Sequence, residues 1–382
     1  MKTIMGEEYD ALISALEEPP VKAMRINRLK CRPDAIAELG ELSPEKIPYA
    51  EDGYYISSAE GIGNTPPHHA GMIYLQDPGA MASLCALPSP NELKGGSVCD
   101  LCAAPGGKSG QAAAIIGEDG FLLSNEFVPK RAKVLVGNLE RLGVRNAIVT
   151  SCDTAELTKL YKCFFDLVIA DAPCSGEGMF RKSEEALTEW SEENVLACAR
   201  RQSYILDNAA ELVRSGGYLL YSTCTFSPEE NEMTVDAFLQ RHQEFHIIPV
   251  NDALIPYTAE GISFEGAKCD SLHLARRFYP HRSLGEGQFV ALMRRGEAES
   301  PRILFKDSAV APAKAELEAV NSFFRDNLSK IPEGRVVKRG GNLCLIPEGI
   351  SIPERSVFSA GVLIGEIRGK LLFPSHQLFS AY

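Results

Sequence analysis

Between Ser97 and Met293, short apolar runs alternate with amphipathic stretches of helix length, the pattern of a parallel sheet with helices on both faces. The spacing predicts strands over Val98–Leu101, Phe121–Asn125, Ala147–Thr150, Leu167–Ala170 and Tyr218–Ser222. Helices are expected over Pro129–Leu142 and Asn194–Val213, the second stopped by Gly216-Gly217, and Gln288–Met293 reads as a late strand that completes the sheet. The first 75 residues differ: an amphipathic start at Tyr9–Leu16, a basic strand-like run at Met24–Lys30 and a turn at Thr65-Pro66-Pro67 make a small α+β element. After Gly296 the acidic run Glu297–Pro301 reads as a linker, followed by an amphipathic helix near Ala313–Leu328 and short strands. The expected division is therefore 1–75, 76–296 and 297–382, an α/β fold with a smaller element on each side.

A chain of 382 residues that is 45% hydrophobic and 24% charged is an ordinary globular composition, which excludes a mainly disordered, collagen-like or coiled-coil protein. No window approaches the ~18 uninterrupted apolar residues of a membrane span, and the start lacks a signal peptide's apolar stretch, so a cytoplasmic protein with no membrane partner is expected. The 11 cysteines are odd in number and spread from Cys31 to Cys344, which favours reduced thiols over a disulfide framework. The net charge of −12 requires any nucleic-acid footprint to be local; residues 301–382 carry +3, leaving −15 for the rest.

Asp100-Leu101-Cys102-Ala103-Ala104-Pro105-Gly106-Gly107-Lys108 falls where a strand gives way to a helix. Small residues there let backbone N–H groups approach a ligand, although glycines that merely tighten the connection would look the same. The spacing is not that of a Walker A loop. Glu126, 24 residues after Cys102, ends the second strand and is placed to take ribose hydroxyls. Asp153, past the third strand, is placed either to meet an adenine amino group or to cap the next helix. Asp171 and Cys174 stand three apart in Asp171-Ala172-Pro173-Cys174-Ser175-Gly176, at the sheet edge where open α/β folds bind ligands. Cys224 ends the fifth strand in Ser222-Thr223-Cys224-Thr225, so two thiols on strands about 4.8 Å apart should share one cleft. Cys99 and Cys102 have C-x-x-C spacing, but no second pair follows at zinc-site spacing and strand alternation puts Cys99 in the core; no metal is expected.

These motifs, with the continuation Gly176-Glu177-Gly178-Met179-Phe180-Arg181-Lys182 and Trp190-Ser191, resemble the RsmF/YebU branch of the Sun/Nol/Nop family of S-adenosylmethionine-dependent RNA cytosine-5 methyltransferases. The resemblance runs over about residues 20–295 and takes in Arg25-Ile26-Asn27 and Tyr74-Leu75-Gln76-Asp77-Pro78-Gly79-Ala80-Met81, where Gly79 replaces a more usual Ser. It implies a Rossmann-like class I methyltransferase sheet and S-adenosylmethionine as cofactor. Small-subunit (16S) ribosomal RNA, naked or in the assembling subunit, is the implied partner, met by a monomer with no DNA partner. Cys102, Ala103, Ala104, Pro105, Gly106, Gly107 and Lys108 would line the cofactor site, Glu126 would take the ribose, Asp153 the adenine, and Asp171 would touch both cofactor and base. Cys224 would be the nucleophile and Cys174 would assist product release. The branch commonly has a longer C-terminal RNA-binding region, so the 297–382 element is expected to be incomplete.

Such chemistry suits these residues, because thiolate attack at C6 breaks the aromaticity of cytosine and makes C5 nucleophilic. A thiol needs help to ionise, for which Lys108, Arg181 and Lys182 are candidates; Arg25, Arg28, Lys30 and Arg32 and the basic C-terminal segment are candidates for RNA backbone contacts or an ordinary solvated charged face, and Phe180 for the base pocket or a core aromatic. A DNA cytosine methyltransferase would attack with Cys174 and not need Cys224, and a silent RNA-binding factor would need neither thiol.

Overall fold

The computed structural model describes residues 2–32, 34, 44–57, 61–297, 305–369 and 371–382. Three sheets organise the chain. The first is antiparallel, in the order β2-β3-β1-β4, with β1 at Ala23–Ile26, β2 at Glu45–Lys46, β3 at Gly53–Tyr55 and β4 at Ile73–Leu75. The expected strand over Met24–Lys30 thus stops at Ile26: the chain turns after Asn27, whose carbonyl accepts from Lys30 N and Cys31 N at 3.1 and 3.0 Å, while its side-chain amide donates to the carbonyls of Gly71 and Leu142 at 2.7 and 2.8 Å. The expected turn at Thr65-Pro66-Pro67 starts a short helix, Pro66–His69, with proline in its first turn where a missing N–H is tolerated.

The second sheet carries the five predicted strands. β5 (Ser97–Asp100), β6 (Phe121–Asn125), β7 (Ala147–Thr150), β8 (Phe165–Asp171) and β9 (Val213–Thr223) are parallel in the order β7-β6-β5-β8-β9. β10 (Phe245–Ile247), β11 (Ala259–Glu260), β12 (Arg276–Phe278) and β13 (Gln288–Arg295) extend it antiparallel beyond β9. Parallel strands buried on both faces should be apolar throughout, and Leu167, Val168, Ile169 and Ala170 are each fully buried. Their side chains alternate between two cores, Val168 and Ala170 facing one, Leu167 and Ile169 the other. Cys99 joins the first core, as strand alternation requires.

The helix Glu192–Leu212 passes directly into β9 at Val213, so Gly216-Gly217 lies inside the strand and does not end the helix. Gly216 takes φ +68° there, beside a shift in the pairing of β8 with β9, a conformation that glycine accepts without a Cβ penalty.

The third sheet, β14 (Arg335–Arg339), β15 (Asn342–Ile346), β17 (Val362–Arg368) and β18 (Leu371–Pro374), packs with the helix Lys314–Asn327 around Val320, Phe324 and Ile364. Between β15 and β17, β16 (Val357–Ala360) leaves for the second sheet and pairs antiparallel with β7. Of the linker-like run, only Glu297 is described; Ala298 to Pro301 lie outside the described residues. A cavity of about 1110 Å³ separates the third sheet from the N-terminal ends of the parallel strands, lined by Tyr161, Phe305, Arg145 and Tyr382 among others. The opposite, C-terminal edge of those strands carries the motif residues singled out in the sequence. No helix among the described residues is long and apolar enough to cross a membrane.

Candidate active site

The strand order reverses between β5 and β8, so the connections leaving these two strands diverge and open a crevice at their C-terminal ends. The Leu101–Gly107 turn follows β5. Ala103 N–H donates to Asn125 O at 2.8 Å, Asn138 Nδ2 donates to Pro105 O at 2.8 Å, and Arg131 Nη2 donates to Ala104 O at 3.1 Å. Gly106 adopts φ +113° and the helix Gly107–Ile116 begins with no side chain over its N-terminus. A Cβ on Gly107 would lie 3.2 Å from the Tyr74 ring and 3.3 Å from Gln76 Nε2, so the glycine lets the first sheet close on the turn.

That buttress corrects one expectation. Arg25 does not face an RNA backbone: it is 3% exposed, with Nε on Gln76 Oε1 at 3.2 Å and Nη2 on Gly107 O at 3.4 Å. Burying a guanidinium costs several kcal/mol unless its donors are used, and here they brace the turn. Of the other candidates, Arg28 pairs with Glu51 and Asp52, Lys30 Nζ donates to Ala70 O at 2.8 Å, and Arg32 is exposed.

Glu126 follows β6, almost fully buried, with Oε1 accepting from Val128 N at 3.0 Å and Arg131 3.6 Å from Oε2. Phe127 beside it is 67% exposed. Asp153 follows β7 and caps the helix Thr154–Thr158, its Oδ1 accepting from Ala155 N at 2.9 Å and Tyr204 Oη at 2.7 Å. Bare methyls and glycines on the turn, a helix N-terminus of free N–H groups and successive carboxylates along the edge form a donor set that fits an amino-acid-bearing nucleoside.

Asp171 ends β8 in the middle of the edge. Its Oδ2 accepts from Lys108 Nζ at 2.8 Å, and its Oδ1 from Ser222 Oγ at 2.6 Å and Gln288 Nε2 at 3.3 Å. Beyond it, Cys174 and Cys224 face each other with sulfurs 3.3 Å apart. The hydrogen bond with Cys224, together with burial, pushes the Cys174 thiol well above the ordinary range, so Cys174 keeps its proton at neutral pH. Arg181 and Lys182 are not its cationic neighbours: Arg181 donates to Glu286 at 3.0 Å and Lys182 to Asp77 at 2.6 Å, because buried Glu286 needs paired charge. Lys108 is the one of the three that reaches the edge, through Asp171. Phe180 is half-buried in the Glu177–Phe180 turn, which Gly178 N–H ties to Cys224 O at 2.9 Å.

Several residues that hold the site were not singled out in the sequence. Ser222 and Gln288 orient Asp171; Glu177 accepts from Phe226 N at 3.0 Å and from the Trp190 indole at 2.9 Å; Glu230 and Gln202 clasp the Cys174 turn. Trp190-Ser191 thereby gains a meaning, since Ser191 caps the Glu192–Leu212 helix while Trp190 anchors Glu177. Its signal lay in the motif, but nothing in the sequence said which acid the indole would meet.

Asp100, beneath the turn, is fully buried; its Oδ2 accepts from Ser109 Oγ at 2.7 Å, and burial pushes the carboxyl up to about 7. From its ordinary value of 3.8 to about 7, the unfolded chain is ionised at this residue while the folded chain holds the proton. Stability therefore falls as pH rises through that window, by about 1.4 kcal/mol per unit for this group, and levels off above it. Asp100→Asn is expected to flatten the fall, so that urea midpoints at pH 5 and pH 8 lie closer together than in wild type. Midpoints that part as widely in the variant as in wild type would show that Asp100 is ionised throughout.

Sheet order, glycine turn and acid-lined edge together define a Rossmann-like methyltransferase. Residues 87–294 match the family model of 16S rRNA methyltransferase RsmB/F, and residues 1–78 that of the N-terminal domain of 16S rRNA methyltransferase RsmF. Ribosomal RNA small subunit methyltransferase F of Vibrio parahaemolyticus is 32% identical over 385 residues, spanning 97% of this chain and 78% of that protein. Its namesake from Aeromonas salmonicida is 30% identical over 378 residues, 95% of this chain and 74% of that one. A methyltransferase homolog protein from Pyrococcus horikoshii superposes with a TM-score of 0.64 at 28% identity, over 76% of this chain and 91% of that one. NSun6 from the same organism, crystallised with SFG, shares the fold at 22% identity, with a TM-score of 0.63 over 78% of this chain and 97% of that one. The chain belongs to the RsmB/F family of 16S rRNA methyltransferases.

Proposed function

We propose that the protein transfers a methyl group from S-adenosylmethionine to C5 of cytosine in small-subunit ribosomal RNA, using two cysteines in turn. The observation that carries this reading is the 3.3 Å approach of Cys174 and Cys224 beside Asp171, at the edge that also bears the glycine turn. Cys102, Ala103, Ala104, Pro105, Gly106, Gly107 and Lys108 would hold the cofactor by backbone N–H groups and small side chains, with Glu126 on the ribose and Asp153 on the adenine. Bound there, S-adenosylmethionine supplies an electrophilic methyl group.

The chain's own residues do the rest. Cys224 adds its sulfur to C6 of the base, forming a C–S bond and pushing electron density to C5. Asp171, held by Lys108 and Ser222, shares a proton with N3 of the base and offsets the charge that attack places on the ring. Once C5 carries the methyl group, a water molecule beside Cys174 takes the C5 proton; the electron pair of that C–H bond then reforms the C5–C6 double bond and expels Cys224 as a thiolate, to which the neighbouring Cys174 thiol donates a hydrogen bond. Cys174 takes part in this release, next to the bond that breaks. Such an approach to the ring face requires a base in a single-stranded loop or one rotated out of a helix. In this reading residues 1–75 and 297–382 contact RNA outside the crevice.

The test is transfer of labelled methyl to small-subunit RNA, free and assembled. Incorporation into cytosine C5, read by nucleoside mass spectrometry, supports the reading. Label at another atom or base, or none with either acceptor, overturns it.

A further inference from the structure

The two thiols are chemically alike and 3.3 Å apart, so something must decide which one attacks. Glu230 is fully buried against the turn that bears Cys174. Its carboxylate accepts from Ser175 N at 3.1 Å and from Gln202 Nε2 at 2.7 Å, and the same Gln202 amide donates to Pro173 O at 3.0 Å. Both peptide groups flanking Cys174 are thus fixed by this pair. Glu230 is fixed in turn, since Tyr221 Oη, in the strand leading to Cys224, donates to its backbone carbonyl at 2.5 Å.

We propose that Glu230 is a positioning residue that sorts the two thiols: its buried carboxylate keeps Cys174 in the protonated form and leaves Cys224 as the sulfur that attacks. This rests on the reading of Cys224 as nucleophile given above. A negative charge seated in the Cys174 turn opposes a second one on that sulfur, and low local polarity strengthens the opposition. Burial pushes the Glu230 carboxyl up, while the bonds from Ser175 and Gln202 favour its ionised form. Among the described residues, the titratable groups facing Cys174 include Cys224, Glu230 and Tyr221; Tyr221 in turn faces Cys174, Glu230, Cys198 and Asp171, and Glu177 faces Glu230. The charge at Glu230 raises Cys174 further, beyond what Cys224 and burial do. A proton held on Cys174 is also a donor for the neighbouring sulfur, and hydrogen bonds to an ionised acceptor are about twice as strong as neutral ones.

The experiment is alkylation of the full chain by iodoacetamide from pH 6 to 9, with each cysteine followed by peptide mass spectrometry. A thiolate displaces iodide and forms a thioether, so the rate at each site reports its thiolate fraction. In wild type, Cys224 is expected to react about tenfold or more faster than Cys174 at neutral pH. Glu230→Gln, which keeps the shape and removes the charge, is expected to cut that ratio about threefold or more and to move the Cys174 profile to lower pH; Glu230→Asp is expected to restore part of the preference. An unchanged ratio in Glu230→Gln with native near-ultraviolet dichroism overturns the proposal. Should that variant not fold, Gln202→Ala, which frees the carboxylate from its anchor, must narrow the ratio, and a wild type that alkylates Cys174 first overturns the idea without any variant. Methylation by Cys224→Ala would instead sink the reading of the nucleophile, so the two failures are told apart.

Discussion

Cys224→Ala is expected to lose methyl transfer by a factor on the order of 10⁴ or more, and Cys174→Ala to methylate once and remain bound to its RNA. The first follows from the proposed role of Cys224 as the sulfur that bonds C6, since removing a nucleophile costs most of what covalent catalysis supplies. Cys174 lies 3.3 Å from Cys224 but keeps its proton, so it does not take over. The second follows from the order of steps. With Cys174 gone the C–S bond can still form and C5 can still accept a methyl group, but release is slowed and the adduct accumulates. Gel retardation that survives detergent, seen with Cys174→Ala and absent with Cys224→Ala, is the expected pattern. The reverse pattern would make Cys174 the attacking sulfur, as in a DNA cytosine methyltransferase.

Arg277→Ala is expected to destabilise the fold by about 3–5 kcal/mol, the usual consequence of leaving a buried charge without its partner. Arg277 in β12 is 2% exposed and Glu232, at the start of the helix Glu232–Arg241, is fully buried. The guanidinium spans both carboxylate oxygens, with Nε 2.6 Å from Oε1, and Nη1 donates to Phe226 O at 2.9 Å. Alanine would strand a carboxylate whose other bond, among the described residues, comes from Ile262 N at 3.0 Å. Lysine keeps the charge but not the two-pronged geometry, so Arg277→Lys should fall between alanine and wild type. Because Phe226 is two residues past the proposed nucleophile, the alanine variant should also lose activity below its melting temperature. Equal urea midpoints for wild type and Arg277→Ala would mean that Glu232 does not depend on this partner.

Much of this was legible in the chain. Apolar runs located all five parallel strands, four to within two residues at either end and β9 with its start expected five residues late, since a strand buried on both faces has little choice of side chain. The motif residues Asp171, Cys174 and Cys224 are brought together because Asp171 ends β8, Cys174 lies in the turn just after it, and Cys224 follows the adjacent β9. What stayed hidden depends on long-range packing. Arg25 looked like a surface cation until the first sheet was seen to close over Gly107, and Arg181 and Lys182 looked like partners for a thiol until Glu286 and Asp77 were found to take them. The run Pro228-Glu229-Glu230-Asn231-Glu232 offered three acids with nothing to say that Glu230 and Glu232 turn fully inward while Glu229 stays half-buried, accepting from Ser227 Oγ at 2.6 Å.

The pairing of β16 with β7 also sets a timetable for synthesis. Ala147–Thr150 leaves the ribosome roughly two hundred residues before Val357–Ala360, and at about 5–20 residues per second that gap lasts on the order of ten seconds or more. Through that interval the nascent catalytic sheet has an unpaired flank able to template another strand. Its last partner comes from the far side of the cavity, so the flank stays uncovered until Val357–Ala360 has emerged.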